Sequence, residues 1–340
     1  MKSIVYSATG PSSVLSLAER DVAAPGPGEV RVRVAISGVN PTDWKARAAG
    51  EPPFPEVVPN QDGAGTVDAV GDGVTHLQPG DRVWIYLAAH GRPTGTAQEF
   101  TVLPADRAVK LPEGIGFDVA ASLGVPAMTA HRALTVHEHG PARLAPGALA
   151  GRTVLVQGGA GAVGHAAIQF AVWAGATVIA TVSSDAKAEL ATAAGAHHIV
   201  RYPDDAEADR IREVAPNGVD QIVEVSPAQN AALDVEVIAN HGSIAYYANN
   251  NGEEFTAPIV ASFAKNVRWQ GVLIYTVGED AQHAAAEDIT AALRDGALPV
   301  GGSAGLPLTW FPLEETAAAH DAVENGTTGK ILIRVSEESA

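Results

Sequence analysis

The sequence predicts an α/β protein in two parts, a β-rich amino-terminal third followed by a doubly wound parallel sheet. Residues 30–36 alternate apolar and charged residues, which is the period of a half-buried strand. From residue 153 onward, β-branched apolar runs alternate with Ala-rich helical stretches. Because such alternation requires crossover connections, it favours parallel strands with helices on both faces of the sheet.

The elements follow from hydrophobic patterns and from the turn residues between them. In the first part we expect strands at 1–6, 30–36, 63–70 and 81–86 and a helical segment at 120–134. In the second part we expect strands from 153 and at 176–182, 198–200, 221–225, 243–247 and 267–275, with helices at 165–174, 185–194, 206–214, 228–239 and 281–294. A closing strand at 331–335 and the elements just before it are expected to return to the first domain.

Length and composition limit the classes of function. The 340 residues suffice for about two domains, and a hydrophobic fraction of 46% is typical of an ordered protein. A net charge of −17 disfavours nucleic-acid partners and anionic membranes. The chain has no cysteine, which excludes disulfides, thiolate metal ligands and cysteine nucleophiles. No signal peptide or transmembrane stretch is evident, so a cytoplasmic protein is expected.

The most informative stretch is a glycine turn between a strand and a helix. Gly159, Gly161 and Gly164 form the pattern Gly-x-Gly-x-x-Gly. The first glycine permits the tight turn, the second lets backbone approach a pyrophosphate, and the third lets the helix pack against the strand. The helix start offers unpaired N–H groups to the phosphates. We therefore expect a dinucleotide site formed by Gly159, Ala160, Gly161, Ala162, Val163 and Gly164.

The residues after the second strand of this unit favour NADPH over NADH. NAD sites usually place an acid there to bind the ribose 2′-hydroxyl, whereas this strand ends in Ser183 and Ser184. Hydroxyls can donate hydrogen bonds to a 2′-phosphate, and Lys187 can add a positive charge. Two further residues, Arg201 and Tyr202, follow the next strand on the same edge. Asp185 would instead act as an NAD-type acid if the strand ended two residues later.

Further segments extend this pattern over nearly the whole chain: Pro25–Glu29, Gly38–Asp43, Gly63–Val67, Pro79–Val83, residues 120–134, the glycine turn and Thr328–Leu332. In this order they resemble the medium-chain dehydrogenase/reductase superfamily, and within it the zinc-free quinone oxidoreductase (zeta-crystallin-like) branch. The resemblance implies a GroES-like catalytic domain (residues 1–124 and 273–340), an inserted Rossmann domain (125–272) that binds NADPH, and a cleft between them.

The resemblance also implies specific cofactor contacts. Residues matching Ser183, Lys187 and Tyr202 hold the 2′-phosphate in this branch. Lys330 and its neighbours would close over the cleft. The rest of the cofactor would contact Thr129, Ser226, Tyr246, Ala248, Asn249, Leu273, Ile274 and Tyr275.

No metal is expected. Zinc-dependent relatives carry a Cys in the early loop and a Gly-His-Glu motif before the following strand. This chain has Asn40 near the first place and Asn60-Gln61-Asp62 at the second, so thiolate and imidazole ligands are missing. His137 and His139 have metal-like spacing without a third ligand in the nearby sequence, and a polar loop is the better interpretation.

Without a Lewis acid, hydride transfer to an already electrophilic acceptor is the favoured chemistry, so a quinone or an α,β-unsaturated carbonyl is the expected small-molecule substrate. Asn40 is a candidate polar contact to the acceptor oxygen, or it stabilises its own turn. Lys45 could donate to the developing charge, or it is solvated, and solvent could supply the proton. The expected pocket residues are Asp43, Trp44, Gln61 and Asp62.

Two other functions stay open at this stage. One is an enoyl-thioester reductase of the same superfamily, and the other is a non-catalytic NADPH-binding protein with a structural or sensing role. The apolar strand expected at Val267–Tyr275 is a candidate sheet edge. Because an exposed edge invites pairing with a second copy, we expect a homodimer.

Overall fold

A computed structural model describes residues 1–202 and 206–336. The strands are β1 (Lys2–Val5), β2 (Ser16–Glu19), β3 (Glu29–Val39), β4 (Asp62–Val70), β5 (Arg82–Ile85), β6 (Phe100–Pro104), β7 (Ala108–Lys110), β8 (Thr153–Val156), β9 (Thr177–Val182), β10 (His198–Arg201), β11 (Val219–Glu224), β12 (Ile238–Tyr246), β13 (Arg268–Gly271), β14 (Leu308–Pro312) and β15 (Lys330–Arg334). The α-helices are α1 (Pro41–Ala48), α2 (Phe117–Ala121), α3 (Gly124–Leu134), α4 (Ala162–Trp173), α5 (Asp185–Ala193), α6 (Glu207–Val214), α7 (Pro227–Val237), α8 (Ile259–Ala264), α9 (Glu279–Arg294) and α10 (Thr316–Glu324).

The chain divides into two compact units. Unit 1 comprises Met1–Val125 and Pro307–Ala340, and unit 2 comprises Pro126–Leu306. The expected discontinuous arrangement is therefore present, but the chain returns to the first unit at residue 307 rather than 273. The first boundary, after residue 125, lies one residue beyond the expected position.

Unit 1 is built on a mostly antiparallel sheet with the order β14-β15-β3-β4-β5-β7, and β6 also pairs with β3. The alternation that predicted β3 is confirmed: Val30, Val32 and Val34 are fully buried, while Arg33 between them is exposed. β3 is long enough to pair antiparallel with β15, β4 and β6. Pairing with β15 brings the carboxy-terminal segment into the amino-terminal sheet.

Unit 2 contains a six-stranded sheet with the order β10-β9-β8-β11-β12-β13, and every neighbouring pair is parallel. This confirms the doubly wound sheet expected from the strand–helix alternation. Its core is built from fully buried apolar side chains of neighbouring strands, among them Leu155, Ile179, Ile222 and Ile244. Because all six strands run the same way, their carboxyl ends lie along one edge.

Two elements differ from the sequence expectation. The helical segment expected at 120–134 is divided into two helices. α2 ends at Ala121, after which the hydroxyl of Ser122 donates to the carbonyl of Asp118, and α3 begins at Gly124. The strand expected at Val267–Tyr275 is confined to β13, since a turn follows in which the N–H of Thr276 donates to the carbonyl of Leu273. β13 does lie at the edge of the sheet, as expected.

The chain returns to unit 1 later than expected because contacts of α9 hold this helix in unit 2. The carboxylate of Asp288 accepts hydrogen bonds from Nε2 of His131 at 2.8 Å and from Nε of Arg143 at 2.8 Å. The backbone N–H of Leu144 adds a third at 2.7 Å. Asp288 is buried, so losing these partners would leave a charge without water. The helix before residue 307 therefore belongs to unit 2.

Candidate active site

The glycine turn after β8 adopts the strand–turn–helix geometry that its sequence predicts. The left-handed backbone conformation falls on Gly158, with φ of 69°, one residue before the glycine expected to make the tight turn. Gly159 serves close packing instead, because a Cβ there would lie 2.8 Å from the Cβ of Ala180 on β9. The turn thus needs a fourth glycine that the Gly-x-Gly-x-x-Gly pattern does not contain.

The remaining two glycines differ in what surrounds them. A Cβ on Gly164 would lie 2.4 Å from the carbonyl oxygen of Gly158, so α4 can approach the turn only without a side chain here. A Cβ on Gly161 would meet its nearest atom at 3.5 Å, which is ordinary contact. The fold therefore requires Gly164 but does not require Gly161. Gly161 is the N-cap of α4 and no side chain caps the helix, so the first turn can offer N–H groups to a ligand.

The residues after β9 form a donor group. Nζ of Lys187 donates to Oγ of Ser183 at 3.1 Å, and Oγ of Ser184, the N-cap of α5, accepts the backbone N–H of Lys187 at 3.4 Å. Because β9 ends at Val182, the two serines follow the strand directly. The structure thus brings Ser183, Ser184 and Lys187 together, as the sequence predicts.

Asp185 is the first residue of α5, and its largely exposed side chain forms an ion pair with Arg201. The acid therefore lies beyond the two serines, not at the strand end where NAD-type acids are found. Tyr202, after β10, is 48% exposed, which leaves its ring accessible to a ligand.

The other expected cofactor residues of unit 2 follow the carboxyl ends of β11, β12 and β13, with the exception of Thr129, which is buried on α3. Ser226 follows β11, and its hydroxyl donates to the carbonyl of Asn250 at 2.9 Å. Tyr246 is the last residue of β12, and the positions after β12 and β13 are Ala248, Asn249, Leu273, Ile274 and Tyr275, of which Leu273 is exposed and Ile274 is buried.

Sequence reasoning missed two buried acids beneath this edge, Glu224 on β11 and Asp234 on α7, both fully buried. Glu224 accepts the backbone N–H of Ser226, and Asp234 accepts Nε2 of Gln157 at 3.1 Å. Burial raises the pKa of both carboxyls, and the neighbouring Glu224 raises that of Asp234 further. The available signal for Glu224 was a charged residue beside Ile222 and Val223 in a strand predicted to be buried.

In unit 1, Asn40, Asp62 and Lys330 form a buried polar cluster. Nζ of Lys330 donates to Oδ1 of Asn40 at 2.6 Å and lies 3.4 Å from Oδ2 of Asp62. Nδ2 of Asn40 donates to the same Oδ2 at 2.7 Å. Burial lowers the pKa of Lys330 and raises that of Asp62, while their mutual attraction acts in the opposite direction on both. The resemblance implies that Lys330 closes over the cleft; in unit 1 its side chain is buried in this cluster and is 2% exposed.

Asp43 borders the cluster. Its carboxylate accepts the N–H of Asn40 at 2.7 Å and that of Gln61 at 3.1 Å. Burial and the nearby Asp62 carboxylate raise the pKa of Asp43 to about 7. Oε1 of Gln61 accepts the N–H of Ala89 at 3.1 Å, so Gln61 and Asp43 both hold backbone in place.

Trp44 and Lys45 lie on α1 and are less buried than Asp43. Lys45 is exposed and Trp44 is half-buried, and Nζ of Lys45 lies 6.0 Å from the centroid of the Trp44 ring. Of the substrate-side residues that the sequence singled out, Lys45 is the one exposed at the surface of unit 1, whereas Asn40, Asp43 and Asp62 are buried.

Within residues 1–202 and 206–336, no group of three or more His, Asp or Glu side chains has an arrangement that could hold a metal ion. None of the described helices combines the length and the apolar content that a membrane crossing requires.

Two family models match the chain in the order of its units. Residues 26–113 match the alcohol dehydrogenase GroES-like domain, and residues 162–291 match the zinc-binding dehydrogenase domain. These matches agree with the GroES-like and doubly wound architectures of the two units, a combination that defines a medium-chain dehydrogenase/reductase.

Curated relatives narrow this class. The chain is 32% identical to the quinone oxidoreductase of Lama guanicoe, over 98% of this chain and 97% of the relative. It is 32% identical to the human quinone oxidoreductase, over 97% of this chain and 96% of the relative. A 2-haloacrylate reductase of Burkholderia sp is 32% identical over 74% of each chain. The chain therefore belongs to the quinone oxidoreductase branch of this superfamily, which confirms the resemblance, and it is an oxidoreductase.

Solved structures agree on the fold. An NAD-dependent alcohol dehydrogenase superposes with a TM-score of 0.86 at 29% identity, covering 99% of this chain and 100% of that one. A mycobacterial protein solved in complex with NADPH gives a TM-score of 0.81 at 29% identity, covering 98% and 99%. Similar folds thus occur with both nicotinamide cofactors.

Gly164→Ala is expected to destabilise the protein by about 1–3 kcal/mol, because the new methyl group would overlap the Gly158 carbonyl and force backbone to move. Gly161→Ala is the matched control, since its methyl group has room; it should cost less than about 1 kcal/mol. Chemical denaturation of both variants measures the difference. Equal losses would show that the close approach of α4 does not depend on Gly164.

Lys330→Met is expected to destabilise the protein by about 3–5 kcal/mol, because it removes the cation and leaves the buried carboxylate of Asp62 without its charged partner. Lys110→Met is the control, because Lys110 pairs with Asp81 at the surface and should contribute less than about 1 kcal/mol. The measurement is the free energy of unfolding in urea. A loss for Lys330→Met no larger than the control's would contradict a stabilising role for the buried cluster.

Proposed function

We propose that this oxidoreductase uses NADPH and, without a metal ion, reduces a quinone or an α,β-unsaturated carbonyl compound. The observation that carries the proposal is the contact between Lys187 and Ser183 directly after β9. An ammonium and a hydroxyl are both donors, so together they suit a 2′-phosphate better than a 2′-hydroxyl. The NADPH complex of the mycobacterial neighbour supports this choice.

The residues of unit 2 fit the cofactor. The absence of a side chain at Gly161 would let a pyrophosphate approach the backbone, and the N–H groups at the uncapped start of α4 would meet it at the positive end of the helix dipole. Ser183, Ser184 and Lys187 would hold the 2′-phosphate, with Tyr202 and Arg201 beside them. When bound, NADPH would supply the hydride.

A zinc ion does not fit the polar cluster of unit 1. The ammonium of Lys330 already supplies the positive charge between Asn40 and Asp62, and it would repel a divalent cation. Alcohol oxidation without a Lewis acid is difficult, whereas a quinone or conjugated carbonyl needs only positioning and charge stabilisation. The relative named 2-haloacrylate reductase supports an acceptor with a conjugated double bond.

The residue proposed to contact the substrate lies on α1. Both polar atoms of the Asn40 amide are engaged, by Lys330 and Asp62, so Asn40 acts by anchoring the start of this helix. Asp43 adds to the anchor through the N–H of Asn40. Lys45, exposed beside Trp44, is then the residue proposed to donate a hydrogen bond to the acceptor oxygen as it gains negative charge.

The test follows oxidation of NADPH and of NADH with 1,4-benzoquinone, 9,10-phenanthrenequinone and a short enone, with and without EDTA. Turnover with NADPH, weak turnover with NADH and no effect of EDTA are expected. Loss of activity in EDTA would contradict metal independence. Turnover confined to an enoyl thioester would favour the other reductase of this superfamily.

Lys187→Ala is expected to raise the KM for NADPH by about 10- to 100-fold, because it removes a charged donor to the 2′-phosphate. The KM for NADH should change less than about threefold, since NADH has no phosphate at this position. Thr192→Ala, an exposed position further along the same helix, is the control. Equal losses for both cofactors would refute the 2′-phosphate site.

We also propose a homodimer formed through unit 2. β13 is the edge strand of the six-stranded sheet, and α8, which precedes it, exposes Ile259, Val260 and Phe263 by 77%, 69% and 65%. Adjacent apolar side chains beside a free strand edge are typical of an association surface. A second copy would cover both the strand edge and this helix.

Phe263→Glu is expected to convert the dimer to a monomer, because a carboxylate would be buried in the apolar contact without a partner. Light scattering after size-exclusion chromatography measures the mass. The control is Leu17→Glu, an exposed apolar position of unit 1 that should leave the dimer intact. A wild-type mass of one chain, or a dimer that survives Phe263→Glu, would contradict this interface.

A further inference from the structure

Glu224 and Asp234 place two acids against each other in the interior of unit 2. Each is fully buried, and the two carboxyls are near enough that each shifts the pKa of the other. Oδ2 of Asp234 receives no hydrogen bond from any donor among the described residues. Two adjacent carboxylates without water repel strongly, whereas one shared proton satisfies both. The pair is therefore stable as a single negative charge.

The other contacts of Glu224 lead to the candidate cofactor edge. Its Oε1 accepts the backbone N–H of Ser226, and Nδ2 of Asn230 donates to its two oxygens at 3.1 and 3.2 Å. The hydroxyl of Ser226 in turn accepts Nδ2 of Asn251 at 3.1 Å. Glu224 thereby orients the turn after β11 and, through Ser226, the segment after β12.

The contacts of Asp234 lead to the glycine turn. Nε2 of Gln157 donates to Asp234, and Oε1 of Gln157 accepts the hydroxyl of Thr181 at 2.5 Å. The same Thr181 hydroxyl accepts the N–H of Gly158 at 3.3 Å. Hydrogen bonds thus connect Gly158 to Asp234 on one side and Ser226 to Glu224 on the other. The acid pair lies between two segments expected to hold one cofactor.

We propose that the Asp234–Glu224 pair is a proton-dependent positioning device for the cofactor site, in which one shared proton holds the turns at Gly158 and Ser226 in their binding arrangement. The inference rests on the proposed function, because it takes these turns to bind NADPH. Asp234 and Glu224 act through Ser226 and Gln157 and do not themselves contact the cofactor.

The direction of the pH effect follows from the surroundings of the pair. The titratable groups near the pair are the carboxyl of Glu207 and the phenol of Tyr247. Burial raises the pKa of both groups, and the neighbouring Glu224 raises it further. All of these groups gain negative charge as pH rises. The pKa of Asp234 is raised in the folded protein. At pH values between the ordinary carboxyl pKa and this raised pKa, the folded state therefore binds more protons than the unfolded state. The stability of the fold falls as pH rises through this window.

The experiment measures the Kd of NADPH for the full chain by its fluorescence, for the wild type and for Asp234→Asn, over the whole range above the ordinary carboxyl pKa, from about pH 5 to about pH 9.5. The amide can donate to Glu224 and accept from Gln157 as the protonated acid does, but it cannot ionise. We expect the wild-type Kd to rise about tenfold more than that of the variant over this range. Asp209→Asn, which removes the same charge from an exposed position on α6, should behave as the wild type.

Glu224→Gln is a second variant. Its amide keeps an acceptor for the Ser226 N–H and leaves Asp234 as the single acid of the pair. The Kd of NADPH should therefore depend on pH as little as it does in Asp234→Asn. Hydrogen exchange of residues 225–251 without cofactor, corrected for the intrinsic pH effect, should show protection lost at high pH only in the wild type and in Asp209→Asn. Parallel profiles for all variants would overturn the positioning device while leaving NADPH use intact. No NADPH binding at any pH would overturn the proposed function and, with it, the cofactor role of the pair.

Discussion

The parallel pairing of β8 with β9 and β11 is the constraint on which the candidate cofactor site depends. Parallel strands end at one edge, so the turns after β8, β9 and β11 meet there although they are far apart in the chain. Each turn brings a different chemistry: backbone N–H groups at Gly161, a hydroxyl and an ammonium at Ser183 and Lys187, and a hydroxyl at Ser226. None of these groups would form a site on a different strand order.

Unit 1 depends on a different kind of interaction. Lys330, from the last strand, carries a buried ammonium to Asn40 and Asp62, across a separation of 290 residues from Asn40. A buried ion pair contributes little net stability when compared with apolar packing, but breaking it is costly. The cluster therefore holds the carboxy-terminal strand in one register against β3.

Much of the fold and part of the site could be predicted because the signals are local. The alternation in β3, the strand–helix series of unit 2 and the serines after β9 all depend on neighbouring residues. Ser183 and Lys187 meet because they are four residues apart at a strand–helix junction. The boundary at residue 307 was missed because it depends on Asp288, whose partners His131 and Arg143 come from distant sequence. The length of β13 was overestimated because an apolar run does not show where the chain turns.

The sequence by itself determined the fold class, the dinucleotide turn and the residues after each strand, since periodicity and turn chemistry are properties of short segments. Only the tertiary structure decided which polar groups are buried together. The sequence indicates Asn40 and Asp43 as polar residues of the substrate side, but packing buries both of them beside Lys330 and Asp62. Glu224 and Asp234 become a proton-sharing pair because α7 packs on β11. Protonation and charge depend on the loss of water, and that loss depends on every element packed around the group.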